Sequence, residues 1–397
     1  YKWIANVNYI IDAEPEMAGT EADVAYVAGQ AYAIRALCYL NLATWFSRAP
    51  YNSLTGASRW NEPCVPVYTT GTSIDTGGQP RESLRTVYGR IDQDIDRAIE
   101  LLEKARETTL AENNKSHINL YVALGIKSRA CLVEGDWDGA YAAAKRVIDE
   151  GGYAVGTKSD LTGGMNSLDK QNVMWGAGIQ VADQAGGYAG FFTHMDNKEG
   201  AYAKSAPKLI SKQLYNRISA TDIRRDWWDP SDKESPYVSK KFSFANVASF
   251  LGDYIYMRVE EMYFTAAEAA LRLDDLKSAR ELMNTVMAER DPGYSANNRS
   301  GTLLGATTTT WTGSFLENIL THRRIELWGE YGRLFDVRRL GQGIDRRTDD
   351  GFSEECISMM NRRNVNITKA DTYDWVLTIP KAELDANPNI NEEDQNP

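Results

Sequence analysis

The densest group of potentially reactive side chains lies between His322 and Gly341, in the segment HRRIELWGEYGRLFDVRRLG. Glu326 and Glu330 are four residues apart, and two carboxylates held at a suitable separation can act as the acid and base of glycoside hydrolysis. The same carboxylates facing arginines would instead form a structural ion-pair network. A basic segment of this kind could also contact nucleic acid. The residue types alone therefore leave three kinds of chemistry open.

Helical spacing favours the structural interpretation of this segment. We place Thr321 to Arg339 on a helix with 3.6 residues per turn, where neighbours three or four positions apart touch. Four charged residues then form one stripe beside an apolar face: Arg323, Glu326, Glu330 and Arg333. Arginines within reach hold carboxylates ionised, which is the wrong state for a general acid. We therefore predict a partly buried ion-pair network and no catalytic residue.

Composition excludes several classes of protein. The formal net charge of −11 argues against a broad nucleic-acid footprint, which needs a basic surface. The four cysteines form no CxxC pair and the three histidines are isolated from one another, so we assign no metal-ligating residue and expect no zinc site. Calcium binding through Asp-rich loops stays open. The chain has no phosphate loop, dinucleotide fingerprint, nucleophile elbow or HExxH motif, and we predict no cofactor. No apolar run is long enough to span a membrane.

Aromatic residues are the unusual part of the composition, with 10 Trp and 21 Tyr. Some of them must belong to the core. The surplus suits a surface that recognises a ligand by stacking.

Apolar periodicity predicts a mainly helical chain. The predicted helical regions are 21–46, 82–106, 119–150, 260–290 and 314–339. Regions 119–150 and 260–290 each contain two helices with small facing residues around a tight acidic turn, GDWDGA or DDLKSA, which is the pattern of a tetratricopeptide (TPR) hairpin. Between the helices lie two variable regions, 51–80 and 152–257, which we expect to be loop-rich and, in the second case, partly β.

Four segments resemble the SusD-like (RagB/SusD) family, surface glycan-binding lipoproteins of Bacteroidetes. RRIELWGEYGRLFDVRRLG resembles the C-terminal signature helix of the family. The other three, GQAYAIRALCYLNLATWFSRAPY, TVYGRIDQDIDRAIELL and IPKAELDANPNI, occur in the family's order and extend the resemblance over nearly the whole chain. The variable regions match no family motif apart from DIRRD, Asp222 to Asp226.

The resemblance implies a single domain over residues 1–397, built as a TPR-like superhelical platform with a loop-rich, partly β insert as its variable face. It also implies a non-catalytic protein that binds an oligosaccharide or polysaccharide and delivers it to a SusC-like TonB-dependent transporter. The expected location is the cell-surface side of the outer membrane, through a lipid anchor upstream of this chain.

Aromatic and amide side chains in the variable regions are the predicted ligand-binding residues, since loops on a rigid scaffold often carry recognition. They are Tyr51, Trp60, Asn61, Tyr188, Trp227 and Trp228. A buried anchor of the loop is the alternative for Trp60. Adjacent residues of an extended chain point to opposite sides, so at most one of the two neighbouring tryptophans should stack on a ligand. Asp222, Arg224 and Arg225 are interpreted as a structural turn and ion pair.

The sequence alone leaves two other functions open. A glycoside hydrolase on a helical scaffold would need two carboxylates at hydrolytic separation in a cleft. A cytoplasmic TPR scaffold that binds peptides would lack the upstream lipid anchor.

Overall fold

Helices dominate the computed structural model, which describes residues 1–110, 114–181, 189–363, 367–368 and 372–397. The chain divides into two units. Unit 1 comprises Tyr1–Ala143, Leu334–Gly343 and Ile367–Pro397, and unit 2 comprises Ala144–Arg333 and Ile344–Asn366. The predicted fold class, a mainly helical TPR-like protein with a small β insert, is confirmed. The assignment of the whole chain to a single domain stays a prediction.

The secondary-structure elements are numbered in chain order. The helices are α1 (Lys2–Ala13), α2 (Glu21–Phe46), α3 (Leu84–Lys104), α4 (Leu120–Glu134), α5 (Trp137–Glu150), α6 (Lys158–Thr162), α7 (Phe191–Met195), α8 (Ala201–Ser205), α9 (Lys212–Tyr215), α10 (Val259–Arg272), α11 (Leu276–Ala288), α12 (Phe315–Glu326), α13 (Arg333–Leu340), α14 (Glu354–Arg362) and α15 (Lys381–Ala386). The strands are β1 (Val173–Ala177), β2 (Trp228–Asp229), β3 (Val238–Ser239) and β4 (Tyr254–Arg258). Strands β1 and β4 pair antiparallel, as do β2 and β3.

Helices α2 and α3 form the centre of unit 1. The side chain of Thr20 caps α2 by accepting a hydrogen bond from the backbone N–H of Asp23. The two helices approach closely at Gly29, where a Cβ atom would lie 2.9 Å from Cγ of Leu102. Helix α2 has the predicted bounds, and α3 lies within its predicted region.

A buried ion pair fixes α2 against α3. Arg35 donates to both carboxylate oxygens of Asp94, at 2.8 and 2.7 Å, and also donates to Asn8 and to the carbonyl of Thr69. This bidentate geometry is the strong form of an arginine–carboxylate contact. Arg35 belongs to one of the segments that carry the family resemblance, and its contacts here are structural.

Both predicted helical hairpins are present, as α4–α5 and α10–α11. Each turn contains a residue in the left-handed region: Gly135 has φ +78° and Asp274 has φ +63°. In the second hairpin, Asp275 caps α11 by accepting from the N–H of Ser278. Gly135 therefore ends α4, and the aspartates Asp136 and Asp275 start the second helix of each hairpin.

The helix predicted over residues 314–339 is wrong as a single element. The structure has two helices there, α12 and α13, separated by residues 327–332. Gly329 and Gly332 interrupt the helix with φ values of +75° and +119°, which only glycine adopts at little cost. At Gly329 a Cβ atom would lie 2.5 Å from a ring carbon of Phe242, so close packing also requires glycine there.

The variable region 152–257 of unit 2 contains short elements around an aromatic core. Helices α6 to α9 have only four or five residues each, and β2 and β3 have two. The buried core residues include Leu161, Phe192, Leu214, Trp227 and Trp228. The prediction of short β pieces and long loops is confirmed, with the short helices as an addition.

Candidate functional site

Glu326, at the end of α12, is fully buried among three arginines of unit 2. Its carboxylate accepts from Arg224 at 3.1 Å, from Arg258 at 3.0 Å, and from Arg290 at 2.9 and 3.1 Å. Arg258 and Arg290 also pair with buried Glu260, at 3.0 and 2.9 Å. The predicted network therefore exists, but its arginines come from outside the 322–341 segment.

Glu330 belongs to the same network. It accepts from Arg258 at 2.8 and 2.9 Å and from the Nζ of Lys241 at 2.5 Å. The predicted single stripe on one helix is wrong, because the chain leaves the helix after Glu326. Arg323 instead lies near Glu261, at 3.5 Å.

The electrostatics of this network do not suit acid–base catalysis. Burial alone raises the pKa of a carboxyl, but the guanidiniums of Arg290, Arg258 and Arg224 hold the pKa of Glu326 well below its usual value. The pKa of Glu330 is also lowered, because Arg258 and Lys241 outweigh the effect of burial. Burial lowers the pKa of Lys241 to about 8, against the opposing effect of Glu330. A carboxyl that stays ionised cannot deliver a proton to a leaving group.

Asp222 and Arg224 form the structural turn that the sequence predicted. Asp222 accepts from the backbone N–H of Arg224 and from its guanidinium, at 2.9 and 2.7 Å. Arg224 also donates to Nδ1 of His322 at 2.8 Å. Burial and the charge of Arg224 hold the pKa of His322 well below its usual value, so the imidazole is neutral.

Tyr51 lies in the loop that follows α2 in unit 1. Its backbone pairs with that of Ser58 across a short turn. The tyrosine ring is partly buried against the α4–α5 turn and meets the ring of Trp137 edge-on, with centroids 6.1 Å apart. An aromatic surface therefore exists at this predicted position.

Trp60 and Asn61 lie in the same loop as Tyr51, but the Trp60 ring packs on a different helix. It meets the ring of Tyr88 on α3 edge-on at 5.8 Å and stays partly exposed. The guanidinium of Arg85 lies over it at 5.8 Å. Asn61 is exposed. Tyr51, Trp60 and Asn61 therefore share one loop, but the rings of Tyr51 and Trp60 pack in different places, and Trp60 combines an anchoring contact with partial exposure.

Trp227 and Trp228 lie in the core of unit 2, with exposed fractions of 2% and 1%. The indole N–H of Trp227 donates to the carbonyl of Leu161, and the ring of Trp228 packs edge-on against Trp328. Rings without an accessible face cannot stack on a sugar, which argues against the predicted role of both residues. Tyr188 lies outside the described residues.

Two aromatic pairs were not predicted from the sequence. The first is the contact of Tyr51 with Trp137, whose signal in the sequence is a large aromatic residue in the otherwise small and acidic turn GDWDGA. The second is on the β1–β4 ribbon of unit 2, where Trp175 and Tyr256 meet at 5.0 Å and Tyr256 is 40% exposed. Alternation along the strands does not identify this second pair, because the register of β1 against β4 shifts on both sides of Trp175.

Neither a metal site nor a membrane-spanning helix is found in the described residues. Within them, no group of three or more His, Cys, Asp or Glu side chains is arranged to hold a metal ion. In the same part of the chain, no helix is both long and apolar enough to cross a bilayer.

Comparisons with known proteins identify the family. A model of the SusD family matches residues 196–397, just over half of the chain. A second family model, described as starch-binding associating with outer membrane, matches residues 1–132. The chain therefore belongs to the SusD family. No match to the sequence is found among curated proteins.

Solved structures show the same fold. The chain is similar to a SusD-like carbohydrate binding protein from Bacteroides vulgatus, with 26% identity, a TM-score of 0.75, and coverage of 98% of this chain and 82% of that one. A SusD superfamily protein from Bacteroides thetaiotaomicron has 24% identity, a TM-score of 0.78, and coverage of 100% and 84%. Surface glycan-binding protein A from Bacteroides uniformis has 18% identity, a TM-score of 0.66, and coverage of 99% and 82%. The latter two support the fold alone.

Proposed function

We propose that this protein binds a glycan at the bacterial cell surface without cleaving it and delivers it to a TonB-dependent outer-membrane transporter. Family membership carries the proposal, because one matching family model is described as starch-binding and associated with the outer membrane. The similarity to a SusD-like carbohydrate binding protein adds support.

The loop after α2 supplies side chains suited to a glycan. Sugars present apolar C–H faces and hydroxyl edges, so their sites combine aromatic rings with hydrogen-bonding groups. Tyr51 and Trp60 are partly exposed rings, and Asn61 is an exposed amide in the same loop. We therefore keep these three residues as the proposed ligand-binding residues and leave out Trp227 and Trp228.

The charge network supports a binding protein over a hydrolase. Glu326 is fully buried and Glu330 nearly so, and arginines keep both ionised. Hydrolysis needs a proton donor next to an accessible bond. A cytoplasmic peptide-binding scaffold is also less well supported, because the matching family descriptions concern starch and the outer membrane.

The partner and the anchor are further parts of the proposal. We propose a SusC-like TonB-dependent transporter as the protein partner, and a lipid anchor upstream of this chain as the link to the outer membrane. Purification of the tagged protein from detergent-extracted outer membranes tests both parts. We expect a transporter to copurify, and recovery of the protein without one would count against delivery.

Affinity electrophoresis against a panel of polysaccharides tests glycan binding. We expect at least one polysaccharide to retard the protein, and Trp60→Ala to weaken that retardation. Trp3→Ala is the matched control, because Trp3 is a 69% exposed tryptophan on α1 of the same unit. Equal mobility in every gel, with or without polysaccharide, would contradict the proposal.

A further inference from the structure

Tyr51 and Trp137 form an aromatic corner on unit 1. Trp137 is the first residue of α5, and Tyr51 lies in the loop after α2. Their ring planes meet at 76° with centroids 6.1 Å apart, and both rings are partly exposed. Two rings at a steep angle present one face and one edge to the same space, which is a shape that can hold the apolar side of a sugar ring.

The backbone of the α4–α5 turn holds this corner in place. Gly135 adopts φ +78°, and a Cβ atom there would lie 2.6 Å from Cδ1 of Tyr51. The tyrosine ring therefore lies directly on the turn. Asp136 fixes the start of α5, since its Oδ1 accepts from the N–H of Gly139 at 3.0 Å. A corner supported by two helix ends and a tight turn is preorganised for a ligand.

The corner lies in a negative field. Asp136 and Asp138 are exposed on either side of Trp137. Burial, together with the nearby charges of Asp92 and Asp136, raises the pKa of Glu134 to about 9, so Glu134 is neutral near pH 7 and the negative charge around the corner comes from the aspartates. The nearby cation Lys127 is engaged by Asp96 at 2.5 Å. The net charge of the whole chain is also negative, at −11.

We propose that Tyr51 and Trp137 bind an uncharged sugar ring, with Asp136 and Asp138 accepting hydrogen bonds from its hydroxyl groups and disfavouring acidic sugars. This inference rests on the proposed glycan-binding function and adds to it a residue, Trp137, and a ligand class. Carboxylates accept hydroxyl hydrogen bonds well. They repel the carboxylates and sulfates of acidic glycans, at a cost that falls as salt screens the charges.

Affinity electrophoresis and calorimetry at low and high salt, with one neutral and one polyanionic polysaccharide series, test the inference. We expect the wild type to bind a neutral polysaccharide, and Trp137→Ala to weaken that binding roughly tenfold or more. Trp137→Phe should recover most of the affinity because it keeps a ring. Trp3→Ala should leave it unchanged. Thermal unfolding of each variant shows whether the fold is intact.

A charge-removing variant tests the ligand class. Asp136→Asn with Asp138→Asn keeps the helix cap, because asparagine is an equally good N-cap residue. We expect neutral-glycan affinity to change by less than about threefold, and binding of the polyanionic series to rise several-fold at low salt.

Three outcomes overturn the inference, and they differ in what else they affect. If neutral polysaccharides bind but a folded Trp137→Ala variant binds as tightly as wild type, the corner is not the site and glycan binding stands. If the wild type prefers polyanionic glycans, the ligand class is wrong. If neither series binds, the proposed glycan-binding function fails and this inference fails with it.

Discussion

At the scale of single residues, the strongest interactions of unit 2 converge on Glu326. The three arginines that bind it come from separate places: Arg224 from the Asp222 turn, Arg258 from the end of β4, and Arg290 from the segment just after α11. One carboxylate therefore ties together segments far apart in the sequence. Removing a charge from a buried network is costly because its partners stay buried and unpaired.

Glu326→Gln should destabilise the protein by about 3–5 kcal/mol. Asp149→Asn is the matched control, since Asp149 pairs with Lys145 on the surface, where one such pair contributes about 0.5 kcal/mol or less. Chemical denaturation of the two variants measures the difference. Equal loss of stability in both would mean that the buried network contributes no more than a surface ion pair.

His322 should make the free energy of unfolding depend on pH. Its pKa is near 6.5 in the unfolded chain and well below that in the folded protein. Below pH 6.5 the unfolded state therefore binds a proton that the folded state does not, and stability falls as the pH drops. We expect His322→Gln to reduce this fall by up to about 1.4 kcal/mol per pH unit between pH 6.5 and 5. Parallel pH profiles of wild type and variant, from urea denaturation, would contradict this.

The types of residue in the ion network were predictable, and their partners were not. Glutamates beside an apolar stripe indicated buried pairing. However, the partners Arg290 and Lys241 lie 36 and 89 residues from the glutamates they bind, and helical spacing carries no information at that range. The burial of Trp227 and Trp228 could not be predicted either, because tryptophan occurs both in protein cores and on binding surfaces.

At the scale of elements, glycines decide where the C-terminal helical segment breaks. An isolated glycine is tolerated within a helical pattern, so the apolar periodicity ran through Gly329 without a visible stop. The structure shows why the break is there: the backbone is left-handed, and the Phe242 ring and Met195 side chain occupy the space of a Cβ atom. By contrast, apolar periodicity was sufficient for the bounds of α2, and the structure adds the Thr20 side chain as the cap at its start.

Gly329→Ala should destabilise unit 2 in two ways: an alanine is strained at this left-handed φ, and its Cβ atom would overlap the Phe242 ring. Gly313→Ala is a well-matched control, because Gly313 has the same φ of +75° and a Cβ atom added there would meet nothing within 4 Å. We expect the control to cost about 1 kcal/mol for the backbone alone. Gly329→Ala should cost a further 1–3 kcal/mol, roughly the cost of overpacking a core. Equal melting temperatures of the two variants would contradict the packing at Gly329.

At the scale of the whole molecule, the family resemblance was the most informative part of the sequence. Its four segments extend over both regions that the family models match, and the fold it implied is confirmed. The candidate site was only partly predictable. Loop residues Tyr51, Trp60 and Asn61 could be chosen by type and position. Trp137 stands out in its turn by size, but its contact with Tyr51 is visible only in the folded protein.

The proposed function is glycan binding without cleavage, and it requires that the carboxylates of Glu326 and Glu330 be structural. The most direct test is to incubate the purified protein with a polysaccharide that retards it and to measure reducing ends over many hours. We expect retention of the polysaccharide with no increase in reducing ends above the protein-free control. Release of reducing ends that disappears in a folded Glu326→Gln or Glu330→Gln variant would contradict it.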